Sequence, residues 1–197
     1  MAEYAYALVY AKDGKFLIAK KRRKSFFYKG AIYPEGKKIE RGAEKEALPG
    51  GRVETAQKET PPAAAAREFQ EETGVADIGQ HYAKHRTWKA GADTYHGVYF
   101  LVETGDKPKG LDAYFGLAGG NVIAGRSAAS DIESKKITTY GEIHKKYPRA
   151  PVDNELYEIQ RWDVNNKTTW AEIEKWKKDA DPARSWFTDI LGEIRQP

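Results

Sequence analysis

The stretch "TPPAAAAREFQEETGV", residues 60–75, constrains the fold of this chain more than any other. Thr60 offers a side-chain oxygen as helix N-cap, and Pro61 takes the first helical position, where its missing N–H costs nothing. Gly74 supplies the left-handed residue that stops the helix. The charged end is crowded. At ~100° per residue, Glu68, Glu71 and Glu72 fall within about 100° of one helix face. Each like-charged pair at these spacings costs an isolated helix roughly 0.2–0.5 kcal/mol, and Arg67 offsets only part of that. A solvated acidic face is one reading. A hard-oxygen site for Mg²⁺ or Mn²⁺ is the other, in which a cation turns the repulsion into binding.

Around this helix the pattern is mixed. "EYAYALVY" and "KFLIAKKR" flank Asp13-Gly14 and predict a β-hairpin. Residues 24–46 read as a long functional loop or an irregular strand pair, and "ALPGGRVE" as a short strand stopped by Pro49, Gly50 and Gly51. "DIGQHYAKHRTWKA" and "DTYHGVYFLVET" predict two further strands, whereas the Gly/Ala-rich residues 105–130 yield no assignment. "ESKKITTY" predicts a strand and "GEIHKKY" a short helix. Beyond residue 152 the pattern reads as helical: "DNELYEIQRW", then "TWAEIEKWKKD" with a Thr169/Glu172 capping box, then "DPARSWFTDILGEI" with Asp181 as cap.

The 197 residues suit one well-buried domain with an appendage. Lys and Arg number 33 against 29 Asp and Glu, a net +4 that suits an anionic ligand without announcing a nucleic-acid binder. There is no cysteine, which excludes disulfides, thiolate zinc sites, iron–sulfur clusters and a thiol nucleophile. No apolar run approaches the ~18 residues of a membrane span, and the start lacks the regions of a signal peptide, so a cytoplasmic location is expected.

Residues 50–75, "GGRVETAQKETPPAAAAREFQEETGV", resemble the Nudix box, G-x5-E-x7-R-E-U-x-E-E-x-G-U with U a bulky aliphatic residue. From Glu59 onward the spacing fits, with Phe69 an aromatic in the first U position. Upstream it departs: seven residues separate Gly51 from Glu59 where the pattern has five, a two-residue insertion. The resemblance implies an α/β Nudix fold, a mixed β-sheet between helices, over residues 1–150, with 151–197 as a helical extension packed on the same domain.

It also implies metal-dependent hydrolysis of the phosphoanhydride in a nucleoside diphosphate linked to another moiety. In that reading Glu68, Glu71 and Glu72, with the backbone at Gly51, hold Mg²⁺ or Mn²⁺. Glu59 holds Arg67, which orients the glutamates; Glu71, Glu68, Arg67 and Glu59 form the catalytic set. Asp131 and Glu133 are candidates for a carboxylate outside the box. Arg22 and Arg23, within the basic run Lys20–Lys24, are candidates for phosphate binding, and Tyr28, Tyr33 and Trp88 for base stacking. The four histidines show no ligand spacing and read as structural.

The expected partner is a nucleotide-derived small molecule; nucleic acid is disfavoured, no membrane is involved, and the C-terminal helices cap the site, pack on the sheet or form a homodimer contact. Substrate markers of particular branches, a proline or a tyrosine further along, would fall at Ala90 or Gly91 and match neither. A catalytically weak nucleotide-binding or sensor module is the alternative. The related isomerase branch uses a cysteine that this chain lacks.

Overall fold

The computed structural model describes residues 2–180 and 182–195. Strands β1 (Glu3–Ala11) and β2 (Lys15–Lys21) form the hairpin predicted around Asp13-Gly14. They pair antiparallel at Tyr10 and Phe16. Two short strands flank the residues toward their other ends: β5 (Glu46–Ala47) pairs with β2, and β6 (Gly50–Arg52) pairs with β1 from Tyr4 to Tyr6. Between these in sequence, β3 (Lys24–Tyr28) and β4 (Ala31–Lys38) make a separate two-stranded sheet, so the irregular strand pair is the arrangement found there.

Helix α1 (Pro61–Thr73) has the predicted punctuation. Thr60 Oγ1 accepts from the Ala63 amide at 3.4 Å, and Gly74 adopts φ 69°. A 3₁₀ turn leads into β7 (Tyr82–Ala90), which runs antiparallel to β8 (Asp93–Val102). β8 pairs parallel to β1 over its whole length, from Glu3/Thr94 to Ala11/Val102. The chain continues through α2 (Leu111–Glu133), α3 (Tyr140–Lys146), β9 (Leu156–Asp163), α4 (Lys167–Lys175) and α5 (Pro182–Gly192). β9 pairs antiparallel with β2.

The result is a mixed sheet with helices on both faces. Alternation along β1 divides the core: Ala5, Ala7 and Val9 face Ala64, Ala65 and Phe69 of α1 with Ala118 and Val122 of α2. Tyr6 and Leu8 face Trp176 and, from α5, Trp186, Phe187, Ile190 and Leu191.

Tertiary packing overrides several sequence expectations. "DNELYEIQRW" is not helical; most of it is β9. A bulge opposite Lys20 and Lys21 lets Leu156 and Ile159, three residues apart, enter the same core layer, and that spacing imitates a helix. The 151–197 segment is therefore not wholly helical, because it gives a strand to the main sheet.

"ESKKITTY" is not a strand. The amides of Thr138 and Thr139 bond the Glu142 carboxylate at 2.8 and 3.0 Å and cap α3 instead of joining a ladder. Gly50 and Gly51 do not stop a strand but lie within β6. α4 begins two residues before Thr169, capped by Asn166 Oδ1 on the amides of Thr168 and Thr169, so the expected Thr169 box does not form. Asp181, the expected cap of the last helix, lies outside the described residues.

The unassigned Gly/Ala-rich stretch is largely α2. It is a poor helix by propensity, since each interior glycine costs about 0.5–1 kcal/mol. It is held by burying Leu111, Tyr114, Ala118, Val122, Gly125, Ala129 and Ile132 along one side.

Candidate active site

The charged end of α1 packs against β6, and the contact is close. A Cβ on Gly51 would stand 2.5 Å from the Glu68 carboxyl carbon, so a side chain there would push that carboxylate out of its place. The neighbouring Gly50 amide donates to Glu72 Oε2 at 2.9 Å. The two extra residues before Glu59 are absorbed by a single 3₁₀ turn, Thr55–Gln57, closed by Lys58 in the left-handed region. The Glu54 amide then bonds Glu59 Oε2 at 2.8 Å, which fixes Glu59. The insertion thus bulges locally, and β6 stays seated on β1.

Arg67 organises the carboxylates. Its Nε and Nη2 bond both oxygens of Glu59 at 2.8 and 3.0 Å, a bidentate pair. Nη2 also donates to the Arg52 carbonyl, while Nη1 reaches Glu68 at 2.7 Å and Glu71 at 3.3 Å. The Arg67 hydrogen bonds hold the Glu59 carboxyl below its ordinary value and raise Arg67 itself. Lys29 takes the other Glu71 oxygen at 2.8 Å.

Glu72 is buried, and so is Asp153, which the sequence reading did not single out. The segment carrying Asp153 is clamped from three sides. The Asp153 amide caps α1 by donating to the Glu71 carbonyl at 3.0 Å. The buried Asn154 accepts from the Phe26 amide and donates to the Gly125 carbonyl, tying β3 to α2. Glu155 receives Lys21 Nζ at 2.9 Å, and the same ammonium lies 4.0 Å from Glu72. Burial, then the charge of Glu155, push the Asp153 carboxyl well up. Burial also pushes Glu72 well up, against Lys21 and with help from Glu155, Asp153 and Glu68. Glu68 is raised, mainly by burial. Burial works against the charge on Lys21, but Glu72 and Glu155 outweigh it and hold that ammonium firmly protonated.

These groups line a cavity of about 440 Å³. Of its carboxylates, Glu68, Glu72, Asp153 and Glu155 come from α1 and the 153–155 segment, and Glu40 comes from the loop after residue 38. Lys37, Lys38 and Arg41 enter from β4 and the loop after it, with Arg52 from β6. Tyr4, Tyr6, Tyr28 and Tyr33 supply aromatic surface; the Arg41 guanidinium lies 5.0 Å over the Tyr4 ring.

A family model for the NUDIX domain matches residues 3–114, more than half of the chain. The chain belongs to this family. It is accordingly a Nudix hydrolase, acting on pyrophosphate bonds. Solved structures similar to it include a MutT protein from Methanosarcina mazei Go1, 16% identical with a TM-score of 0.46, covering 98% of this chain and 91% of that one. A C. elegans Ap4A hydrolase is 12% identical with a TM-score of 0.41, covering 98% and 99%. A NUDIX hydrolase from Nitrosomonas europaea is 14% identical with a TM-score of 0.40, covering 100% and 92%. Among curated proteins there is no match.

The fold brings Glu59, Arg67, Glu68, Glu71, Glu72 and Gly51 into one cluster. Tyr28 and Tyr33 line its cavity. Other candidates lie elsewhere. Arg22 and Arg23 line a second cavity beyond Lys21, because the chain turns away into β3 after that residue. Trp88 is stacked on Trp186 at 4.7 Å against the α5 layer. Asp131 sits in the last turn of α2, bound by Lys146 at 2.6 Å and the Tyr147 hydroxyl at 2.7 Å, and Glu133 lines the second cavity. His81, His96 and His144 bond Tyr114, Thr87 and Tyr140.

The three box glutamates do not meet as a formed metal cluster; among the described residues no three acidic or histidine side chains do. Arg67 and Lys29 draw Glu68 and Glu71 to themselves. The donor chemistry still fits a hard divalent cation. Carboxylates that raise one another's proton affinity are short of positive charge, and only oxygen donors are offered.

Proposed function

We propose that this Nudix hydrolase cleaves the phosphoanhydride of a nucleoside diphosphate linked to another moiety, with Mg²⁺ or Mn²⁺ as cofactor. The observation that carries the proposal is one cavity lined both by Glu68, Glu72, Asp153 and Glu155 and by Lys37, Lys38, Arg41 and Arg52. The carboxylates suit divalent cations, the basic groups suit phosphates, and the tyrosines offer faces for a base. Glu68, Glu71 and Glu72 with Asp153 are the groups that would hold the metal, which supplies charge neutralisation and an acidified water. The residues of the chain do the positioning. Glu59 fixes Arg67, Arg67 fixes Glu68 and Glu71, and the Gly50 amide fixes Glu72. Lys21 keeps Glu72 and Glu155 from repelling each other apart.

The test is a panel of nucleoside diphosphate derivatives with Mg²⁺ or Mn²⁺, read by phosphate release through a coupled phosphatase, for wild type and Glu72→Gln. Turnover on at least one member and its loss in the variant are expected. The glutamine oxygen keeps the Gly50 bond, so the fold is retained. Wild-type turnover in Glu72→Gln removes the mechanism, and no turnover on any member favours a nucleotide-binding module.

A further inference from the structure

The basic run Lys20–Lys24 closes β2 and enters β3, and the fold gives it a cavity of its own, about 490 Å³. Phe26 and Tyr157 supply aromatic surface there, and Glu44 and Glu133 are its carboxylates. Arg22 is the unusual member. Its Nε donates to the Lys24 carbonyl at 3.2 Å and its guanidinium lies 5.4 Å from the Phe26 ring centre, but Nη1 is buried with no hydrogen-bond partner. No carboxylate is paired with it among the described residues. Glu133 favours its charge only through a longer-range field, and the charge of Arg126 opposes it more strongly. Burial and the Arg126 charge both work against the Arg22 cation. Arg126 itself leans over the Tyr157 ring at 4.4 Å, and Tyr157 is 43% exposed.

A buried guanidinium N–H without an acceptor carries the full cost of its lost hydration, and more so because the group is charged. The charge of Arg126 adds to that cost. An incoming oxyanion removes both penalties, and a guanidinium fork matches phosphate oxygens in particular. Lys21 is spent on Glu155 and Glu72, so it is the boundary of this cavity with the catalytic one and not a donor to it. Neither the box nor the chemistry of hydrolysis uses Arg22, Arg126 or Tyr157.

We infer that this second cavity is a phosphate-binding site separate from the catalytic one, with Arg22 gripping the oxyanion inside it and Arg126, which stands outside the cavity lining over the Tyr157 ring, reaching the oxyanion from that edge. The phosphate is either free or carried by a nucleoside monophosphate, and the shared chemistry is the dianion on the guanidinium pair.

Calorimetric titration without divalent metal tests it, with inorganic phosphate in one arm and a nucleoside monophosphate in the other. Wild type, Arg22→Gln, Arg126→Gln and Arg41→Gln are compared after far-UV dichroism has verified their fold. Saturable binding is expected in wild type and in Arg41→Gln, which alters only the catalytic cavity. It weakens roughly tenfold or more in Arg22→Gln and in Arg126→Gln, the size of one charge-assisted hydrogen bond. Arg126→Gln keeps the test open should Arg22→Gln fold poorly. A tighter monophosphate whose advantage disappears in Tyr157→Ala assigns the phosphate to a nucleotide, and equal affinities assign it to the free anion. Binding that survives both arginine changes, binding lost only in Arg41→Gln, or no saturable binding to wild type overturns the inference.

Discussion

Replacing Arg67 by glutamine tests the hub of the carboxylate cluster. The side chain is 24% exposed and ties Glu59, Glu68, Glu71 and the Arg52 carbonyl together. Its loss leaves mostly buried carboxylates facing one another. Removing one partner of a fully buried pair costs 3–5 kcal/mol, and partial exposure reduces this to about 2–3 kcal/mol here. For a chain of this length that is a fall in Tm of roughly 5–10 °C.

The pH dependence follows from the same bonds. Glu59 is held below its unfolded value of about 4.3, so its stabilisation is complete above that pH and disappears as pH falls through the folded value. The variant has no such contribution to lose, and its Glu68, raised mainly by burial and left without the Arg67 charge, is relieved by protonation. The gap between wild type and variant is therefore widest near pH 7 and narrows below about pH 4. Urea unfolding followed by tryptophan fluorescence at both pH values measures it. Arg67→Lys recovers only part of the loss, because one ammonium cannot replace the fork. A destabilisation under about 0.5 kcal/mol at neutral pH, or one that does not change with pH, refutes the reasoning.

Gly51→Ala places a methyl where the Glu68 carboxylate stands, so metal-dependent hydrolysis falls at least about tenfold with helix content retained; unchanged kcat/KM contradicts the close approach. Millimolar Mg²⁺ or Mn²⁺ raises Tm in differential scanning fluorimetry, by about 2.7 kcal/mol of stability at a hundredfold excess over Kd, and an unmoved Tm counts against the metal proposal. Trp186→Ala opens the layer where Trp88 stacks and Tyr6, Tyr95 and Phe187 meet the indole edge-on, at a cost of about 3–5 kcal/mol in urea unfolding. A loss under about 1 kcal/mol shows that α5 contributes little to the core.

Sequence alone determined the parts whose causes are local. The hairpin at Asp13-Gly14, the caps of α1 and the one-face glutamates depend on residues within a turn or two of each other, and all three stand in the structure. Pairing decided the rest. β9 reads as a helix because Leu156 and Ile159 are three apart, and only the bulge against β2 makes that spacing a strand. The glycines of α2 leave that stretch without an assignment, and only the sheet beneath makes their helix worth forming. Asp153 looked like one acid among many, because nothing local marks it. It joins the carboxylates of α1 only when its own amide caps that helix and Asn154 pins it to β3 and α2. Arg22 and Arg23 parted from the site for the converse reason: neighbours in sequence to Lys21, they fall beyond the point where the strand turns away. Short-range chemistry wrote the helix and its charges. Long-range packing chose which carboxylates and cations share its cavity, since that depends on where strands far apart in the chain come to lie.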